Sequence, residues 1–193
     1  MIPRREGRLG RISWAVYDWA NSSYSAIIST FVFPAFFARA VVENETVGTT
    51  LWGNTVGTAG LVIAVGAPIL GAIADQNGRR KPWLGTFTLL CVVSTAALWW
   101  VKPGSDSILL GMLLAGVATV TSEFAVVFYN AMLPTLTTHD RIGRWSGWAW
   151  GLGYVGGIFS LVIALYGFVQ QPAFFDLPRD EAQHVRATFV LVG

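Results

Sequence analysis

The chain has 193 residues, 53% of them hydrophobic and 12% charged, with a formal net charge of +2. It carries about half the charge of an average soluble domain and slightly more apolar content, so water is the wrong solvent for it. Its thirteen Lys and Arg residues make no continuous basic face, which argues against a nucleic-acid binder, and one cysteine, Cys91, inside an apolar block permits neither an internal disulfide nor a redox motif.

The mean hydropathy of +0.53 averages over apolar blocks separated by short charged loops. Each block is long enough to cross about 30 Å of hydrocarbon at about 1.5 Å per residue. In chain order, membrane spans are predicted at residues 12–41, 51–74, 83–101, 107–133 and 145–169, with a further apolar segment over 185–193. That last segment is far short of the ~20 residues a spanning helix needs, so it reads as a sixth helix cut off within its length. The first run is too long, and with Asp18 and Asn21 too polar, to be the core of a cleaved signal peptide.

Arg4, Arg5, Arg8 and Arg11, then Arg79, Arg80 and Lys81, then Arg141 and Arg144 fall on one side of these spans. The other side holds Arg39, Lys102, Arg179 and Arg186 beside Glu43, Glu45, Asp106, Asp176, Asp180 and Glu181. Cytoplasmic loops retain positive charge, so the N-terminus is expected in the cytoplasm. Tryptophans near the span edges (Trp14, Trp19, Trp52, Trp83, Trp99, Trp100, Trp145, Trp148 and Trp150) are expected at the membrane interfaces, some of them packed inside instead. Gly53 and Gly57, Gly147 and Gly151, and Gly153 and Gly157 stand four apart, a spacing that lets helices approach closely and predicts a packed bundle.

Two acids lie inside apolar spans, where an ionised carboxylate costs about 2.5 to 3.5 kcal/mol even on insertion scales. In the first span Trp14, Asp18, Asn21, Ser22, Ser25 and Ser29 recur at three- and four-residue steps and share one helical stripe. In the fourth, Thr119, Glu123 and Asn130 do the same, with Gly116 above them. Both stripes are expected to face the bundle interior or an aqueous cavity. Counted from the basic ends of the predicted spans, Asp18 is roughly 9 Å deep and Glu123 roughly 15 Å deep. They are candidates for a substrate or proton pathway, the alternative being a structural hydrogen bond or an Arg partner near the surface.

Between the second and third spans the sequence reads GAIADQNGRRK. Gly71 allows close helix contact, Asp75 ends the span, Gly78 permits a tight reversal, and Arg79, Arg80 and Lys81 anchor the loop. Other patterns carry less. Gly151, Gly153 and Gly156 spell GxGxxG inside a Trp-rich span with no strand before it, so a dinucleotide site is not expected. His139 and His184 fall on opposite predicted sides, giving no metal site, and no nucleophile motif is present, so no enzyme, catalytic residue or cofactor is expected.

The GxxxDxxGRR pattern resembles the signature loop of the major facilitator superfamily. Together with YDWANSSYSAIISTFVFPAFF from Tyr17, VFYNAMLP from Val127 and RWSGWAWGLGYVGG from Arg144, it resembles the vacuole-effluxer-like family of autophagy-related amino-acid effluxers and their bacterial relatives, over residues 12–160. The resemblance implies an all-α membrane fold, with residues 1–193 forming the N-terminal six-helix half of a two-half bundle and the C-terminal half as its partner. It implies a transporter of small polar solutes such as amino acids, working by alternating access with a possible coupling proton, and a cytoplasmic latch role for Asp75 and Arg79. The expected setting is a cell membrane, a bacterial inner membrane or a fungal vacuolar one. A non-transporting receptor or assembly subunit, or an inactive half-transporter fragment, stays open as an alternative.

Overall fold

Hydrocarbon offers no partner to a backbone N–H or C=O, so each apolar run must close its hydrogen bonds within itself as a helix. A computed structural model describes residues 8–42, 44–77 and 79–193, all helix, turn or irregular chain with no strand among them. Five helices are long and apolar enough to cross a membrane: α1 (Arg8–Val41), α2 (Glu45–Asn77), α3 (Arg80–Trp100), α4 (Ser105–Leu136) and α5 (His139–Val169). A sixth, α6 (Gln183–Val192), runs up to the end of the sequence. Helices start before the apolar runs that predicted them, most clearly α2 at Glu45 and α5 with its first turn at His139. A helix has no reason to stop where the hydrocarbon does, and the headgroup layers add several ångströms on each side.

α1 is not a uniform helix. It widens into π turns over Ser25–Phe31 and Phe37–Val41, with Val32 N–H reaching back five residues to the Ile27 carbonyl. Pro34 between them has no N–H to return to the preceding turn, and wider turns accommodate that loss.

α1 packs along α5, whereas α4 lies between α2 and α3 and packs on both; α6 packs against α3. Two cores result. At the basic end, Trp14, Ala15, Tyr129, Leu133, Leu136 and Ala149 are buried together. There the Trp14 and Tyr129 rings stack 4.4 Å apart and the indole Nε1 donates to the Tyr129 carbonyl at 3.0 Å. The larger core surrounds Phe33, Phe36, Phe37 and Phe189, with Phe189 edge-on to Phe33 at 5.4 Å. Lipid tails are as apolar as these rings, so what holds the helices together is close packing. Aromatic pairs of this geometry contribute about 0.5–1.5 kcal/mol beyond their area.

Several expectations change here. Of the tryptophans, Trp14, 6% exposed, and Trp52, partly buried against Phe33, are among those that pack inside; Trp100, Trp148 and Trp150 stay exposed. Of the three glycine pairs, only Gly153 and Gly157 meet another helix. A methyl on Gly53, Gly57, Gly147 or Gly151 would find nothing within 4 Å, and the same holds for Gly71. Spacing selects a helical face, but the rotation of each helix decides whether that face has a neighbour. Asp75 does not end its helix, which continues to Asn77. Arg186, placed on sequence among the loop charges, sits on α6 at 3% exposure. Its Nε donates to the Trp99 carbonyl at 2.6 Å and its Nη2 bonds the same oxygen. The guanidinium lies over the Trp99 ring at 4.8 Å, so it fastens α6 to the end of α3.

Candidate solute cleft

The polar stripe of α1 opens onto a cleft of about 420 Å³ between α1, α4 and α5. α1 contributes Asp18, Asn21, Ser22, Ser25 and Ser29, and the π turn carries Ser25, Ser29 and Thr30 along its wall. From α4 come Thr119, Ser122 and Glu123; from α5, Trp150, Gly153, Tyr154 and Gly157. Counted from the described helix ends at Arg8 and Leu136, Asp18 is about 15 Å and Glu123 about 20 Å along, deeper than the apolar runs alone suggest.

Local chemistry orients the walls. Ser22 Oγ donates to the Asp18 backbone carbonyl at 2.8 Å and Thr119 Oγ1 to the Ala115 carbonyl at 2.8 Å. With the Thr119 proton committed there, the Tyr24 hydroxyl, 3.1 Å away, is the donor to Thr119 Oγ1. Gly153 brings the α5 backbone against α1: a Cβ at that position would lie 2.6 Å from Asp18 Oδ2 and 2.7 Å from Ser22 Oγ. Neither the Asp18 nor the Glu123 carboxylate takes a hydrogen bond or an ion pair from any described residue. Asn21 also borders a smaller cavity of about 170 Å³ behind the cleft, shared with Tyr17, Thr88, Cys91 and Ser122.

The structure thus gathers Asp18, Asn21, Ser22, Ser25, Thr119 and Glu123 at one place. Asn130 is outside it, exposed seven residues further along α4 toward the basic end. Trp14, on the same sequence stripe, faces Tyr129 instead. Sequence reasoning did not find the α5 wall. Trp150, Gly153 and Tyr154 carry no charge, and the available signal was the facing pair Gly153 and Gly157, which looked no different from Gly147 and Gly151.

The loop motif lies apart from the cleft. Asp75 is 80% exposed at its side chain and 3.8 Å from Arg80 Nη2, while Arg80 Nε donates to the Ala74 carbonyl at 3.1 Å. Asp75 is thus paired with Arg80, while Arg79 is exposed just before α3; Gly78 lies outside the described residues. Lys81 continues the basic run into the first turn of α3.

Five helices long and apolar enough to cross a membrane, with an acidic cleft among them, define a multi-pass helical membrane protein. The family model described as "Vacuole effluxer Atg22 like" matches residues 50–146. This chain belongs to that family. It is 36% identical over 156 residues to the "Uncharacterized MFS-type transporter YxiO" of Bacillus subtilis (strain 168), covering 79% of this chain and 36% of that protein. It is 26% identical over 163 residues to an "Uncharacterized protein" of Aquifex aeolicus (strain VF5), covering 83% of this chain and 39% of that one. The chain thus spans well under half the length of the curated relatives it matches. No solved structure matches it.

Proposed function

We propose that this chain supplies one half of a secondary active transporter for small polar solutes, operating by alternating access against a second helical bundle. The observation that carries the reading is that two carboxylates without a partner among the described residues, Asp18 and Glu123, line a common cleft from two different helices. At membrane depth each costs about 2.5–3.5 kcal/mol when ionised. A cost of that kind is retained where a solute or a proton offsets it during a cycle.

In this reading Asn21, Ser22, Ser25 and Thr119 complete the solute wall, with Asn130 on the route toward the basic end. Asp75 and Arg79, with Gly71, Gly78, Arg80 and Lys81, form a latch that engages the second bundle when the cytoplasmic side closes. The N-terminus is cytoplasmic because the basic loops share its side. Two bacterial relatives favour the bacterial inner membrane. Amino-acid efflux is the particular activity the family description suggests.

The test is flux in liposomes reconstituted with the full protein, comparing wild type with Glu123→Gln across pH. The expected result is at least a tenfold lower rate and a flattened pH profile. Unchanged uptake with an unchanged profile removes Glu123 from the mechanism, and saturable binding without accumulation is the behaviour of a receptor.

A further inference from the structure

We infer that the cleft selects solutes that carry a protonated amine on an apolar body, drawing the ammonium to the acidic wall to which Asp18 and Glu123 belong and the body to Trp150 and Tyr154. The inference rests on the reading of this cleft as a solute site and names the chemical class it accepts.

Three independent features of the walls point the same way. The first is charge. The chain has more basic than acidic residues, 13 against 11, yet among the described residues lining the cleft there are two carboxylates and no Lys, Arg or His. Placement, not composition, makes this space anionic, since the basic side chains collect at the helix ends. An anionic solute would meet two like charges with no counter-charge from these helices, whereas a cation meets two carboxylates that no described residue neutralises.

The second feature is hydrogen-bond polarity. The Ser22 and Thr119 protons are committed to the carbonyls of Asp18 and Ala115, and the Tyr24 proton to Thr119. These three hydroxyls have no proton to spare and can only accept from a solute. An ammonium group has three donors and no acceptor, so it can bond the two carboxylates and these hydroxyls, while the donors of Asn21, Ser25 and Ser29 on the same wall are left for other polar groups of the solute.

The third is the aromatic corner on α5. Trp150 and Tyr154 stand one helical turn apart, 66% and 67% exposed, with ring centroids 6.0 Å apart and planes at 71°. Two rings set edge to face form an angle that takes an apolar or aromatic body on one face and a cation over the other. Among the described residues the ring contact these two large exposed side chains make is with each other, and both line the cleft.

The experiment is equilibrium binding by calorimetry to the purified full-length protein in detergent, with three probes of one shape: phenethylamine, 2-phenylethanol and 3-phenylpropionate. Phenethylamine is expected to bind at least tenfold more tightly than the alcohol, and the carboxylate to be the weakest. Asp18→Asn and Glu123→Gln should each erase most of the difference between amine and alcohol, while Trp150→Phe retains amine binding and Trp150→Ala weakens it. Equal affinity for amine and alcohol in the wild type overturns the inference, as does a carboxylate bound as tightly as the amine. Amine affinity that is unchanged in both charge-removing variants overturns it too. The comparison of probes on the wild type stands even if a variant fails to fold. Binding needs no flux, so amine selectivity without transport would defeat the transporter reading alone, and flux of an anionic solute without amine binding would defeat this inference alone.

Discussion

Gly153→Ala adds one methyl group at the point where α5 touches the carboxylate of α1. The added Cβ would stand 2.6 Å from Asp18 Oδ2 and 2.7 Å from Ser22 Oγ, where ordinary contact begins at 3.4 Å. Both obstructing atoms are side-chain ends, so Asp18 and Ser22 can turn away and the helices need not separate. An off-rotamer side chain costs about 0.5–1.5 kcal/mol, and a forced separation of packed helices about 1–3 kcal/mol. The expected phenotype is therefore a site defect: solute affinity or uptake down about tenfold, equivalent to about 1.4 kcal/mol, with a small change in thermal stability. Three neighbours calibrate it. Gly156→Ala would press on the backbone carbonyl of Trp19, which cannot swing aside, and should lower the melting temperature first. Gly157→Ala meets nothing closer than 3.5 Å and Gly151→Ala nothing within 4 Å, so both should be near neutral. Uptake and melting in detergent, measured on all four variants, decide the matter. If Gly153→Ala behaves like Gly151→Ala, or loses activity only in step with stability as Gly156→Ala does, Gly153 does not position Asp18.

Arg186→Met should cost about 2–3 kcal/mol, because it removes two hydrogen bonds to the Trp99 carbonyl and one to the Glu181 carbonyl at a site only 3% exposed. Thermal unfolding in detergent checks this, and a variant as stable as wild type would show that α6 is held by its apolar face alone. Trp14→Phe keeps a ring stacked on Tyr129 but loses the 3.0 Å indole bond to the Tyr129 carbonyl. A loss of about 1 kcal/mol is expected by the same measurement, and a loss several times larger would mean that the indole's volume, not its N–H, matters most.

The helices themselves were legible in the one-dimensional sequence, because hydrocarbon imposes a local rule: a long apolar stretch must satisfy its own backbone. Polar residues at helical period within such stretches were legible for the same reason, which is why Asp18, Asn21, Ser22, Ser25, Thr119 and Glu123 could be named and are found around one cleft. The rest depended on how each helix is rotated about its axis. Gly147 with Gly151 and Gly153 with Gly157 have identical spacing, yet only the second pair meets α1. Asn130 shares a stripe with Glu123 and lies beyond the cleft, Trp14 shares one with Asp18 and packs against Tyr129, and Arg186 turned inward to a carbonyl three helices back in sequence. In water, burying an apolar face would signal which side of a helix turns inward. Lipid solvates every apolar face equally well, so only the fit of neighbouring surfaces chose these rotations, and that fit exists only once the bundle is assembled.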